Sequence, residues 1–165
     1  MIPDADYLYA CDKAWWQKHI QAVKRGFKGK LFTQYSNAKE QEYARENGIE
    51  ALSGAHSAGL GRDQLHYGSN SGYQAINLAF LLGATTINLL GYDMGKTGGK
   101  NHWFGNHPNG LTNGNYESFI PRFDSLAKDL SAEGVDVINY TRTTKLTQFK
   151  RGNLDTDIHS VKPAV

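Results

Sequence analysis

Apolar positions recur along the chain at two spacings, and their alternation predicts strands and helices in turn. Short runs rich in aromatic, β-branched and leucine residues predict strands over residues 7–11, 30–35, 49–52, 86–90 and 135–140. Helical spacing or composition predicts helices over residues 13–25, 37–48, 75–82 and 116–133. This alternation predicts an α/β fold with a mostly parallel sheet and helices on both faces.

The stretch over residues 68–93 organises the rest of the chain. A loop of small residues, 68–72, precedes an apolar run at 75–82, and Gly83 stands where a left-handed helix cap is needed. The run is apolar on nearly every side, which predicts a buried helix. The strand that follows ends in Gly91-Tyr92-Asp93. In an open α/β sheet such polar ends lie at the edge where ligands bind.

Two long glycine-rich loops, residues 53–68 and 95–115, interrupt the alternating pattern, and the first has the character of a functional loop or a lid. Right-handed crossovers place both loops at one edge of the sheet, near the carboxyl ends of the strands. The same argument brings four polar residues to that edge: Asp12, Ser53, Asp93 and Thr141. We therefore expect a ligand site there.

The remaining segments complete one domain over residues 1–152, followed by a loosely held tail over 153–165. Pro121 is expected to bend the start of the last long helix, and residues 145–149 are expected to form an edge strand. A length of 165 residues is typical of a single domain.

Composition narrows the class of protein. A net charge of +2 does not indicate a nucleic-acid partner, and the densest basic run, residues 24–30, is typical of a solvated helix end. The single cysteine, Cys11, excludes an intramolecular disulfide and is interpreted as a core residue rather than a nucleophile. No stretch has the pattern of a signal peptide or a membrane span, so we expect a cytoplasmic protein with no membrane partner.

The loop at the start of the central helix is a candidate anion site. Ser69, Asn70, Ser71 and Gly72 offer hydroxyls and backbone N–H groups at a helix start, where the helix dipole favours a phosphate or carboxylate. The alternative is that Ser71 merely caps the helix. The loop is neither a Walker motif nor a dinucleotide Gly-x-Gly-x-x-Gly motif.

A second candidate site combines Asp93 with His102 and His107. Asp93 is suited to a ribose hydroxyl, a metal or a proton, unless it only bonds its own backbone in a turn. The two histidines lie five residues apart in a loop that also carries Trp103 and Phe104, so both can converge on Asp93. We interpret one histidine as an anchor and the other as catalytic; a divalent metal held by all three side chains is the alternative.

Residues 68–93 resemble the corresponding unit of two related families. One includes 6-hydroxymethylpterin diphosphokinases and motility-associated glycosyltransferases, and the other is the bacterial lipooligosaccharide sialyltransferases. Residues 6–16 also resemble the second strand and following helix of these families. The Gly-Tyr-Asp-Met strand end and the His-Trp-x-Gly-x-His-Pro loop are similar to those of small phage and prophage proteins.

The resemblance implies a single Rossmann-like, three-layer domain that binds a nucleotide or a nucleotide-linked donor. By position, Ser71 and Gly72 would bind the nucleotide, Asp93 would lie beside its ribose or phosphate, and His102 or His107 would act as the general base. The expected function is that of a phage-encoded glycosyl- or diphospho-transferase in a bacterial host. The alternative is a phage binding or assembly protein that retains the fold without the chemistry.

These families normally have a glycine-containing first strand before the stretch that matches residues 7–11. We expect the present chain to lack it and to leave a sheet edge exposed or repaired. Because bare edges pair with other chains, the expected assembly is a homo-oligomer, most simply a twofold dimer.

Overall fold

The computed structural model describes residues 4–35, 37–96, 99 and 115–157. The strands in this part of the chain are β1 (Tyr7–Tyr9), β2 (Lys30–Gln34), β3 (Ile49–Leu52), β4 (Gly54–Ala55), β5 (Leu65–His66), β6 (Thr86–Leu89), β7 (Asp136–Asn139) and β8 (Lys150–Arg151). The helices are α1 (Lys13–Gly26), α2 (Ala38–Glu46), α3 (Ser71–Leu81), α4 (Tyr116–Phe119), α5 (Phe123–Ala132) and α6 (Leu154–Asp157), with a 3₁₀ turn at Ile120–Arg122.

The strands form small sheets in which every neighbouring pair is parallel. One sheet has the order β1-β2-β3, another has the order β6-β7-β8, and β4 pairs with β5. A helix connects β1 to β2, β2 to β3 and β6 to β7, because parallel neighbours need a crossover connection. The parallel pairs β4–β5 and β7–β8 are joined by segments, 56–64 and 140–149, that the structure describes throughout and that contain no helix. The predicted α/β class is confirmed.

The helix α3 lies between two apolar clusters. Tyr73 and Ile76 pack into a cluster with residues of β6, β7 and α5. Leu78 packs into another with Phe32 of β2 and Leu65 of β5. A third cluster buries Trp16, Ile20 and Val23 of α1 against the first sheet. The prediction that α3 is mostly buried therefore holds for the faces that meet these two clusters.

The helix expected over residues 116–133 is interrupted as predicted at Pro121, where the chain forms a 3₁₀ turn between α4 and α5. Proline has no N–H to donate, so the regular helical bonds stop there.

The edge strand expected over residues 145–149 is wrong, because the strand that pairs with β7 is β8, one residue further on. The apolar side chains of Leu146 and Phe149 instead enter the core from an irregular segment. That segment is held by a bond from the Lys145 N–H to the Asp93 carbonyl (2.8 Å) and by one from the Leu146 N–H to the Thr144 hydroxyl (2.9 Å).

The region expected to be a loop, residues 53–68, contains the short strands β4 and β5. No helix in the described part of the chain is both long and apolar enough to cross a membrane.

Two glycines at helix ends give opposite predictions for alanine. Gly83 has φ of 90° and Gly26, the last residue of α1, has an ordinary φ; a Cβ at either would meet no atom within 4 Å. We expect Gly83→Ala to lower the free energy of unfolding by about 1 kcal/mol, because the left-handed conformation disfavours a Cβ. Gly26→Ala should raise it by up to about 1 kcal/mol, since alanine favours the helix. Urea unfolding measures both, and changes of the same sign would contradict the account.

Candidate functional site

Two strands end at the amino end of α3. Beyond β1, the Sγ of Cys11 lies 2.9 Å from the Oγ of Ser71, and the Tyr9 hydroxyl donates to the Oε1 of Gln74. The earlier residue of the strand segment, Tyr9, contacts the later helix residue, Gln74, and Cys11 contacts the earlier Ser71. The β1 segment and α3 therefore run in opposite directions. Beyond β6, the Tyr92 hydroxyl donates to the Gly72 carbonyl at 3.0 Å.

This arrangement brings together three of the segments singled out in the sequence. Asp12 directly follows Cys11, Asp93 directly follows Tyr92, and the 68–72 loop lies between them. Burial raises the pKa of both the Tyr9 and the Tyr92 phenol, so each hydroxyl keeps its proton and serves as a donor. The expected meeting of strand ends with the amino end of the central helix is therefore present.

The cap of α3 is Asn70, and the alternative that Ser71 caps the helix is wrong. The Asn70 Oδ1 accepts from the Tyr73 N–H at 3.0 Å, whereas Ser71 is the first helical residue. The preceding turn has positive φ at Gly68 (51°) and Ser69 (56°). A Cβ on Gly68 would lie 2.3 Å from the Tyr73 ring, so only glycine fits there. Ser71 is thus left exposed, with its hydroxyl beside Cys11.

Gly72 also has a packing role. A Cβ at this position would lie 2.9 Å from Cε1 of the Tyr92 ring. The absence of a side chain therefore allows Tyr92 to reach the helix and form its hydrogen bond to the Gly72 carbonyl.

Cys11 is not a strand residue, contrary to its interpretation as part of a buried strand. β1 ends at Tyr9, and Cys11 is half-buried at the strand end. Burial raises the pKa of its thiol, an effect that the bond to Ser71 partly opposes. A thiol that stays protonated at neutral pH is a poor nucleophile; the expectation that Cys11 is not a catalytic nucleophile stays a prediction.

The two carboxylates differ in their surroundings. Asp12 is exposed at the amino end of α1, and its side chain makes no capping bond to that helix. Asp93 is half-buried, and its charge adds to burial in raising the pKa of Tyr116 on α4. Asp93 therefore lies at the junction of β6 and α4.

His102 and His107 lie outside the described residues, so their convergence with Asp93 stays a prediction. Among residues 4–35, 37–96, 99 and 115–157, no three His, Cys, Asp or Glu side chains are grouped so as to hold a metal ion. His66 points its Nδ1 at the carbonyls of Ala58 and Gly59, both at 3.1 Å, and so has a structural role. His56 packs edge-on against Tyr67, with ring centroids 4.8 Å apart.

A cleft of about 500 Å³ lies beside the 68–69 turn, and its lining does not include the contacts of Ser71 and Gly72 described above. Its walls are residues 56–58, the turn itself and the segment from α4 to the start of α5. Sequence reasoning drew attention to Ser69 and to the 53–68 region, but it missed Arg122. Nothing in the pattern distinguished this arginine from the other polar residues of an amphipathic helix.

The wall formed by the 53–68 region is held by buried polar bonds. The fully buried Asn77 accepts from the N–H groups of Gly61 and His66, both at 3.0 Å, and donates to the Gly61 carbonyl at 2.8 Å. The Leu60 N–H donates to Asp129 on α5 at 2.9 Å. These bonds attach residues 60–66 to α3 and α5. The preceding residues, 56–58, form the wall of the cleft.

No family model matches the chain, and comparison with curated proteins and with solved structures gives no significant match either.

The Asn77 bonds give a prediction about stability. Asn77→Leu keeps the side-chain size but leaves two buried backbone groups of Gly61 and the partly buried N–H of His66 without partners, so we expect the free energy of unfolding to fall by roughly 3 kcal/mol. Asn88→Leu, at an exposed position of β6, is the matched control and should change it by less than about 0.5 kcal/mol. Equal effects of the two substitutions in urea unfolding would show that Asn77 does not hold the wall.

Proposed function

We propose that this protein binds a nucleotide or a nucleotide-linked donor at the amino end of α3, within a single Rossmann-like, three-layer domain. The observation that carries the proposal is the pair of contacts from Cys11 to Ser71 and from Tyr92 to Gly72. Through them the carboxyl ends of two strands, one from each three-stranded sheet, meet one helix start. Ligands of open α/β sheets bind at such a crevice.

The helix start supplies the groups that bind phosphate. The first N–H groups of an α-helix have no partner inside it, and the helix dipole places partial positive charge there. At the start of the 11-residue α3 these are the N–H groups of Ser71 and Gly72, since the Tyr73 N–H already donates to the Asn70 side chain. The Ser71 hydroxyl is exposed and adds a further polar group.

The other predicted residues take complementary roles. Asp12 and Asp93 lie on the two strand-end segments that meet α3, where a carboxylate accepts from ribose hydroxyls. Asn70 acts indirectly, because its side chain already caps α3, while Ser69 shapes the turn. Group transfer from the donor would use His107 or His102 as general base, with a divalent metal at Asp93 as the alternative.

Substitution of Ser71 tests the nucleotide site. We expect Ser71→Ala to weaken binding of nucleotides by roughly fivefold, the effect of losing one hydrogen bond of about 1 kcal/mol. Isothermal titration with ATP, UDP and CMP, each with and without Mg²⁺, measures the change. Ser131→Ala, at an exposed position of α5, is the control. Failure of every nucleotide to bind, or equal affinity of both variants, would contradict the proposal.

A second candidate function is assembly, in which the chain is a phage protein that pairs with a second copy of itself. Within the described residues, β1 and β6 each pair with only one neighbour. A large apolar side chain is exposed on each of these strands or directly after it: Tyr7 in β1 is 47% exposed, and Leu90, the residue after β6, is 61% exposed. An unpaired strand edge can pair with a strand of another chain, and exposed apolar side chains on that edge would be buried by the pairing. These features favour association.

The assembly candidate predicts a twofold dimer that depends on the β1 edge. Light scattering should give twice the mass of the 18.3 kDa chain. Tyr7→Lys should shift the protein to monomer, because a lysine on an edge strand opposes pairing. Glu42→Lys on the exposed face of α2 should leave the dimer intact. A monomer at high concentration, or a dimer that survives Tyr7→Lys, would contradict this candidate.

A further inference from the structure

The cleft beside the 68–69 turn has a lining suited to an anion. Beside Tyr73 at its base, the polar side chains that line it are His56, Ser57, Ser69, Ser118, Arg122 and Ser125, and among the residues that the structure describes no Asp or Glu belongs to the lining. The Arg122 guanidinium brings positive charge to the cleft, and the hydroxyls add hydrogen-bond donors. The described acid that acts on the cleft-lining Tyr73 is Asp129, whose Oδ2 already accepts from the Leu60 N–H at 2.9 Å.

Most of these donors are not used inside the protein. Ser125 is engaged, because its hydroxyl accepts from the Gly59 N–H at 3.0 Å and donates to the Arg122 carbonyl at 3.2 Å. Within the described part of the chain, the side chains of His56, Ser57, Ser69 and Arg122 make no hydrogen bond to protein. Arg122 thus presents an unpaired charged group to the cleft from one wall, and Ser57 and Ser69 present hydroxyls from the others.

The cleft is also preformed. The Tyr73 hydroxyl at its base donates to the Gly59 carbonyl at 2.7 Å, and His56 rests edge-on against Tyr67. Ser69 keeps φ of 56°, a left-handed conformation that costs a non-glycine residue about 1 kcal/mol or more. Its backbone is nevertheless held there, between Gly68 and the Asn70 cap. Binding then requires little reordering of the walls.

We propose that this cleft binds the phosphate group of a small phosphorylated molecule, with Arg122 as the principal charge and Ser57, Ser69 and His56 as further donors. A tetrahedral phosphate has enough oxygens for donors that approach from three walls, whereas a carboxylate has only two. The volume of about 500 Å³ lies in the range of small-molecule sites and leaves space for an organic portion. The cleft shares the 68–69 turn with the nucleotide site but uses neither Ser71 nor Asp93, and its principal charge, Arg122, belongs to the cleft alone.

Titration with inorganic phosphate, followed by ¹⁵N amide NMR of the whole chain, tests the proposal. We expect saturable shifts that are largest at Ser57, Gly59 and Ser69, and tighter binding of ribose 5-phosphate than of phosphate. Arg122→Gln should weaken phosphate by roughly tenfold or more, the effect of one charge-assisted contact, and Arg122→Lys should restore part of the affinity. Arg45→Gln, which removes the same charge from exposed α2, should bind as the unsubstituted protein does.

Ser69→Gly provides a variant whose folding is not at risk, because glycine suits the left-handed conformation at this position. It should weaken phosphate by about fivefold while leaving the thermal midpoint unchanged or higher. Equal shifts from chloride at matched ionic strength, equal weakening by Arg45→Gln and Arg122→Gln, or no saturable binding by the unsubstituted protein would each overturn the proposal. Ser71→Ala should leave phosphate affinity in this cleft unchanged, which separates this test from that of the nucleotide site.

Discussion

The structure depends on α3, an apolar helix to which both three-stranded sheets are joined. Its faces pack into two separate clusters, one shared with β6, β7 and α5 and the other with β2 and β5. Polar contacts then set its position along the strands, through Ser71 on the β1 side and Gly72 on the β6 side. The helix start is thereby placed between two strand ends, and the proposed nucleotide site follows from this placement.

A buried polar network sets the second feature of the molecule, the fixed wall beside the 68–69 turn. Asn77 has a polar side chain, yet it is fully buried in the middle of α3. Its burial is possible because the side-chain amide forms hydrogen bonds with three backbone groups of the 59–66 segment. The Tyr73 hydroxyl and Asp129 extend the same attachment. One helix thus supports both candidate sites, by its amino end for the first and by its polar side chains for the second.

The sequence alone located most of the helices and strands, because residues such as Ile49–Leu52 or Ala38–Glu46 carry the spacing and composition of one element only. It did not identify the strand Lys150–Arg151, whose two exposed, charged residues have no apolar alternation. The apolar residues just before it, Leu146 and Phe149, gave a misleading strand pattern and are core residues instead.

At the site, too, backbone conformation and packing decide features that the sequence does not reveal. Asn70 and Ser71 are both good capping residues, and only the backbone turn at Gly68 and Ser69 decides that Asn70 takes the cap. The order of elements predicted that Asp12, Ser53, Asp93 and Thr141 lie at one edge, because the carboxyl ends of parallel strands converge there. It could not indicate Arg122, whose position in the cleft results from the break at Pro121 and from the packing of α5 on the 59–60 segment.

Binding of a nucleotide's phosphate at the amino end of α3 is tested most directly by amide NMR of the nucleotide complex. With the protein saturated by the tightest-binding nucleotide, the account predicts that the N–H signals of Ser71 and Gly72 show the largest downfield shifts in the chain, as expected when they donate to an anion. Unshifted Ser71 and Gly72 signals in a saturated complex would place the nucleotide elsewhere and contradict the account.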